Sequence, residues 1–272
     1  MSAPGQVYPL GHPEWRVPGF HVLELAPRRA RFCVCVPVID EGERIRRQLG
    51  RMRPFSEALD IAIADGGSRD GSLAESFLRT TSVRALLTKT GPGRLSAQMR
   101  MAMAWGMEQG YEGLIFVDGN DKDEPEALPR FAAKLAEGWD HVQGSRYVPG
   151  GKGVNTPLAR HLGVVWLHAP LISLAARHRY TDTTNGFRAY SRRLLLDPRV
   201  QPFRDEFAAY ELHYYLAIRA ARLGFRVCEI PVTRVYPPQG RAPSKISPLR
   251  GNLLILRTLL RAVGGAFDPK PG

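Results

Sequence analysis

Four short apolar runs constrain this chain most: ARFCVCVPVID (30–40), LDIAIAD (59–65), VRALLTKT (83–90) and GLIFVD (113–118). Each ends in a polar or glycine-rich cluster and is followed by a stretch with helical character. Runs of this length, rich in β-branched residues and bounded by turn formers, read as buried strands. Strands alternating with helices over short connections predict an α/β fold, a doubly wound, mostly parallel sheet with helices on both faces. Such sheets bind ligands at the carboxyl ends of their strands. The clusters Asp40-Glu41, Asp65, Gly91–Arg94 and Asp118–Asp123 all fall on that edge.

The second half differs. HVQGSRYVPGGKG (141–153) predicts a strand and a glycine-rich loop, and LARHLGVVWLHAPLISLAARH (158–178) an apolar segment broken at Pro170. TDTTNGFRAYSR (181–192) predicts a turn and short strand, and EFAAYELHYYLAIRAARLG (206–224) a helix. FRVCEIPVTRVYP (225–237) predicts a strand, and SPLRGNLLILRTLLRAV (247–263) a terminal helix. Without repeats or a clear linker, a single domain over 1–246 is expected, followed by an amphipathic helix and tail over 247–272. The Pro- and Gly-rich ends, 1–18 and 265–272, are expected to be loosely held.

The formal net charge of +12 favours polyanionic partners: phosphorylated substrates, an anionic membrane surface or nucleic acid. No zinc-finger, RNP-type or basic-zipper pattern supports the last of these. Cys33 and Cys35 alternate along a strand and, with Cys228, lack the paired spacing of a zinc site, so all three read as reduced and buried. His161 and His168 have no third ligand and read as structural. The chain shows neither a leader pattern nor an uninterrupted run of about 18 apolar residues, so a cytoplasmic setting is expected.

Chemistry concentrates in two clusters. Asp65, at a strand tip before Gly66 and Gly67, suits either a base or ribose N–H or O–H or a solvated turn. Asp118 emerges at the end of its strand, where a carboxylate and substrate phosphates together hold a hard divalent cation. Asp121, Asp123, Glu124 and Glu126 read as acids favouring the next helix start. Arg146, Arg188, Arg241 and Lys245 recur in later loops and as a set suit phosphate recognition.

The order VPVIDE, IADGGSRDGS, GPGR, FVDGND, GSRY and NGFRAYSR resembles the family 2 glycosyltransferases of the GT-A fold, over about residues 32–245. Within them it is most similar to polyprenyl-phosphate sugar transferases. The resemblance implies a nucleotide-sugar half over about 30–140 and an acceptor half over 141–246. Pro37, Asp40 and Glu41 would line the nucleotide pocket, Asp65 would contact the base, and Arg94 and Gln98 would flank the nucleotide. Asp118 would open a metal-binding DxD-like motif for Mg²⁺ or Mn²⁺ whose third position here is Asn120, with Asp121 one residue out of register. A carboxylate near Glu211 would face the acceptor, as base if that acceptor is a hydroxyl and with no such duty if it is a phosphate. Asp118, Glu211 and Arg188 are thus the catalytic candidates.

The resulting expectation is an inverting glycosyltransferase using a nucleotide-diphosphate sugar, with a polyprenyl phosphate or a cell-surface glycan as acceptor. The competing readings are a nucleotidyltransferase acting on a sugar phosphate, which would carry a lysine-bearing glycine loop at the first strand, and a basic nucleic-acid-binding protein. The arginine-bearing amphipathic helix over 248–263, with 163–176 beside it, suits attachment to the cytoplasmic face of an anionic membrane. Burial against the domain, or against a second copy in a homo-oligomer, is the alternative use of that helix.

Overall fold

The computed structural model describes residues 7–237 and 250–269. In chain order its elements are strand β1 (Phe20–Glu24), β2 (Phe32–Val38), helix α1 (Glu43–Met52), β3 (Asp60–Asp65), the single turn α2 (Glu75–Leu78), β4 (Val83–Lys89), α3 (Leu95–Glu108) and β5 (Gly113–Phe116). There follow α4 (Leu128–Ala136), β6 (His141–Ser145), β7 (Lys152–Val154), α5 (Leu158–Gly163), α6 (Ala169–Ala176), β8 (Arg188–Ser191) and the turn α7 (Arg192–Leu195). The last elements are α8 (Glu211–Arg222), β9 (Val227–Pro231), β10 (Thr233–Val235) and α9 (Arg250–Val263).

Eight strands form one sheet in the order β1-β4-β3-β2-β5-β8-β6-β9, while β10 and β7 make a separate parallel pair. Strands β4, β3, β2 and β5 run parallel, as the β-α alternation predicts. β8 enters antiparallel between β5 and β6, which lets the second half of the chain share the sheet of the first. Strand alternation divides the core into two faces. Cys33, Cys35, Ala62, Ala64, Leu114 and Phe116 pack with residues of α3, α6 and α8, and Val34, Val36, Ile61, Ile63, Ile115 and Val117 pack with residues of α1 and α4. Burying each Val or Ile in these runs contributes about 1.5–3 kcal/mol.

Four features depart from the sequence reading. β1 pairs antiparallel with β4 as an edge strand; its five residues sit between proline-rich flanks and were not predicted. Residues 7–18 are held rather than loose: Trp15 stacks on Phe203 at 4.1 Å and Tyr8 N–H donates to Phe20 O. At the other end Phe267 is buried in the core against Phe207. Pro170 does not break its segment; a wider π-helical turn at Val164–His168 joins α5 to α6 and absorbs the missing N–H. The result is a helical run from Leu158 to Ala176 that is long and apolar enough to cross a membrane, although only 22% of it is buried.

β6 carries a fully buried histidine into the sheet. His141 stacks on Tyr190, and its Nε2 has no hydrogen-bond partner among the described residues. Burial, helped by the Arg188 charge, pushes its pKa down to about 3. The unfolded chain takes up a proton near pH 6.5 that the folded chain refuses, so stability present above that pH is lost as pH falls. The cost is about 1.4 kcal/mol per pH unit from 6.5 toward 3. Urea denaturation at pH 6.5 and 4.5 is expected to show this loss, with a shallower slope in His141→Asn; equal slopes would refute the assignment.

Candidate active site

The carboxyl edge of the sheet is built by loops that lash one another in place. After β2, Asp40 adopts a left-handed backbone (φ 45°); its N–H donates to Ser68 Oγ and its Oδ1 accepts Arg69 N–H at 2.7 Å. Gly42 N–H donates to Asp70 Oδ2 at 2.8 Å. At the tip of β3, Asp65 Oδ1 accepts from Gly67 N–H, Ser68 N–H and Ser68 Oγ, so this carboxylate organises the GGS turn from within. Glu41 lies half-buried against Arg44, and Arg94 stands exposed at the start of α3. Pro37, Asp40, Glu41, Asp65 and Arg94 thus sit along the edge the sequence points to. Gln98 does not face it: its buried amide donates to Val38 O at 2.8 Å and Ala64 O at 2.9 Å, clamping β2 to β3.

Asp118 follows β5, and its turn is tightly fitted. Gly119 N–H donates to Pro37 O, and a Cβ on Gly119 would come within 2.6 Å of Val38 Cγ2. From the opposite side, a Cβ on Gly186 would meet Asp118 Oδ1 at 2.6 Å. The glycine of the NGF turn is therefore the space into which the carboxylate fits. Asp118 Oδ2 accepts from Arg234 Nη2 at 3.2 Å and lies 3.5 Å from Asn120 Nδ2; its side chain is 26% exposed. Asn120 Oδ1 is buried with no hydrogen-bond partner among the described residues.

The neighbouring acids have separate duties. Asp121 (φ 56°) gives its N–H to Gln48 and its carboxylate to Arg47 and Arg51, each at 3.2 Å. It is fastened to α1 and does not substitute for Asn120. Asp123 is not a helix-start acid. Its side chain is fully buried and ion-paired with Arg234, and the two residues also form a backbone bridge. Its Oδ1 has no partner among the described residues. Burial opposes the Arg234 charge, but Asp123 and Asp118 outweigh it and raise its pKa, so the guanidinium keeps its proton. Lys122 is buried near the same group, its pKa lowered by burial and by the charge of Arg234.

Three sequence candidates are structural instead. Arg146 is buried, forks onto both oxygens of Asp182 at 2.7 and 3.0 Å, and also donates to Thr184 Oγ1 and Tyr236 Oη. Arg188 is fully buried and spends its guanidinium on three carbonyls, of Asn185, His213 and Thr183. Both guanidiniums are buried and held by protein acceptors. Glu211 turns back on its own helix start, accepting Ala209 N–H at 2.7 Å. Arg241 and Lys245 lie outside the described residues.

Arg234 was missed in the sequence although a signal existed. Alternation in PVTRVY puts Val232, Arg234 and Tyr236 on one face, and all three are buried. An arginine in phase with apolar residues demands an acidic partner.

No family model matches this chain. It is 32% identical over 215 residues to the undecaprenyl-phosphate mannosyltransferase of Micrococcus luteus, covering 78% of this chain and 86% of that protein. It is 29% identical over 215 residues to the polyprenol monophosphomannose synthase of Mycolicibacterium smegmatis, covering 75% and 77%. Among solved structures, glucosyl-3-phosphoglycerate synthase from Mycobacterium tuberculosis, in complex with Mn²⁺, UDP and glucosyl-3-phosphoglycerate, superposes with a TM-score of 0.60 at 16% identity, covering 89% of this chain and 81% of that one. At that identity the likeness establishes the GT-A fold alone. Fold, edge and relatives agree: the chain belongs to the GT-A glycosyltransferases related to the polyprenyl-phosphate mannosyltransferases, and is a hexosyltransferase of that family.

Proposed function

We propose that the protein moves a hexose from a nucleotide-diphosphate sugar to a polyprenyl phosphate, with inversion, at the surface of an anionic membrane. The observation that carries this reading is the Asp118 carboxylate, partly exposed at a strand tip beside the turns of Asp40 and Asp65. A hard divalent cation, Mg²⁺ or Mn²⁺, fits what stands there. Asp118 supplies one carboxylate and Asn120 a buried, unpartnered carbonyl oxygen, and such ions complete their shell with substrate phosphates. Asp118 and Asn120 would hold it, and when bound it would offset charge building on the leaving diphosphate.

The rest follows from the chain's own residues. An acceptor phosphate oxygen forms a bond to the anomeric carbon as the bond from that carbon to the diphosphate oxygen breaks. The nucleoside diphosphate leaves with the electron pair, and one displacement inverts the centre. A phosphate anion needs no base, which agrees with Glu211 being spent on its own helix start. A glycan hydroxyl would need one. Lys122, which feels the charges of both Asp118 and Arg160, the exposed Arg160 itself and the exposed Arg94 are the cations suited to meet phosphate oxygens.

The membrane part rests on the run from Leu158 to Ala176. Leu158, Trp166 and Leu174 are each more than 70% exposed, while Ile172, Ala175 and Ala176 pack into the core. Anchored on one side and apolar on the other, the helix suits an interface better than a span. α9 packs its buried Leu259 and Ala262 inward and leaves Leu253, Leu260, Arg257 and Arg261 outward.

Transfer from nucleotide sugars to undecaprenyl phosphate, followed with radiolabelled donor and Mn²⁺, tests the activity; labelling of a glycan but not the lipid phosphate would overturn the acceptor. Asp118→Ala is expected to keep the circular dichroism of the wild type and to lose transfer by at least about a thousandfold. Gly186→Ala should lose at least about tenfold by displacing that carboxylate. Full activity in either variant contradicts the site. In flotation with phosphatidylglycerol vesicles at moderate salt the wild type should float and Trp166→Glu should float several-fold less. Failure of the wild type to float refutes the membrane placement.

A further inference from the structure

Arg234 sits where an inorganic cation would otherwise be attracted. Two backbone hydrogen bonds deliver it there and together form the antiparallel Asp123–Arg234 bridge: Glu124 N–H donates to Thr233 O at 3.1 Å, and Val235 N–H donates to Lys122 O at 2.8 Å. The side chain is only 7% exposed, with Nη1 on Asp123 Oδ2 and Nη2 on Asp118 Oδ2. A purely structural pair would need only Asp123. Arg234 also spans to the acid that faces the open site. The ammonium of Lys122, 5.6 Å from the Tyr236 ring centroid, adds a second positive charge to the same neighbourhood. Two carboxylates therefore meet two cations, and among the described residues no group of three or more Asp, Glu, His or Cys side chains converges to hold a metal.

The geometry points to Arg234 as a resident counter-cation that denies the Asp118 site to a divalent ion until a donor diphosphate arrives. The inference rests on the metal-assisted reading above and specifies its order. A divalent ion approaching Asp118 finds its carboxylate already paired and a guanidinium held in place by Asp123, so Coulomb attraction is cancelled at short range. A diphosphate would bring the missing negative charge and oxygen ligands, and Asp118 and Asn120 would then be able to hold the ion. Arg234 is thus a positioning residue: it fixes the orientation of Asp118 and sets the charge that the ion meets.

The test is a Mn²⁺ titration of the full chain by electron paramagnetic resonance, with and without UDP or GDP, alongside thermal shift. The wild type is expected to bind Mn²⁺ only with a nucleoside diphosphate present. Arg234→Gln, which leaves Lys122 as a cation near Asp118 and Asp123 but removes their paired guanidinium, is expected to bind Mn²⁺ alone at least about tenfold more tightly than the wild type does, with a rise in melting temperature on adding Mn²⁺. Arg234→Lys, which keeps a charge there, should behave as the wild type. Tight Mn²⁺ binding by the nucleotide-free wild type overturns the inference even if Arg234→Gln fails to fold, as does an Arg234→Gln protein that folds but gains no Mn²⁺ affinity. A wild type that is stabilised by nucleotide yet takes up no Mn²⁺ under any condition overturns the metal-assisted reading itself.

Discussion

The site depends on one closed circuit of contacts, and Arg234 is its keystone. From Asp118 the circuit runs through the Arg234 guanidinium into β10, then through Tyr236 Oη to Arg146 and its fork on Asp182. From Asp182 the chain passes through the TTNG turn to Gly186, whose missing side chain makes room for Asp118. Buried ion pairs of this kind give little net stability over an apolar replacement, but removing one partner strands a charge at a cost of about 3–5 kcal/mol. What the circuit secures is the position of the Asp118 carboxylate, with the precision that the proposed site would require. It also joins the sheet's first half, which supplies Asp118, to the second half, which supplies Arg234, Arg146 and Gly186.

That circuit sorts the arginines of a chain with a net charge of +12 into two kinds. Arg146, Arg188 and Arg234 are inside, satisfied by acids or carbonyls, and serve as cross-links between loops. Arg94 and Arg160 are outside, at the same edge, and remain able to meet phosphate. Apart from Arg234, whose phase with Val232 and Tyr236 marks it as buried, local sequence does not separate the kinds. The separation comes from which loop folds over which, a tertiary property.

The parallel core was legible because its strands announce themselves twice, by β-branched composition and by the polar clusters that end them. β1 was not, since five residues at an edge carry no signal beyond weak alternation. The position of Asp118 at a strand tip was legible from its place at the end of GLIFV. Asp123 was misread because an acid two residues before a proline-started helix has an ordinary local explanation, and only the distant Arg234 reveals the other one. Gln98 was misread for the complementary reason. An amide near a nucleotide edge has a ready functional role, whereas its real partners are two strand carbonyls that nothing in the local sequence specifies.

The two halves of the proposed reaction also meet physically. Arg160 lies over the Tyr236 ring at 5.6 Å, and His161 reaches Tyr147 Oη at 3.3 Å, so α5 is docked on residues that in turn contact Arg234 and Arg146. From there the helical run continues with Leu162, Trp166 and Leu174 outward. A polyprenyl phosphate has one charged end and a long apolar chain, and needs a cationic patch continuous with an apolar track. A glycan acceptor would need a polar groove with hydrogen-bonding side chains along the same path. The residues that the run from Leu158 to Ala176 presents there are leucines and a tryptophan beside an arginine, which is the first pattern and not the second.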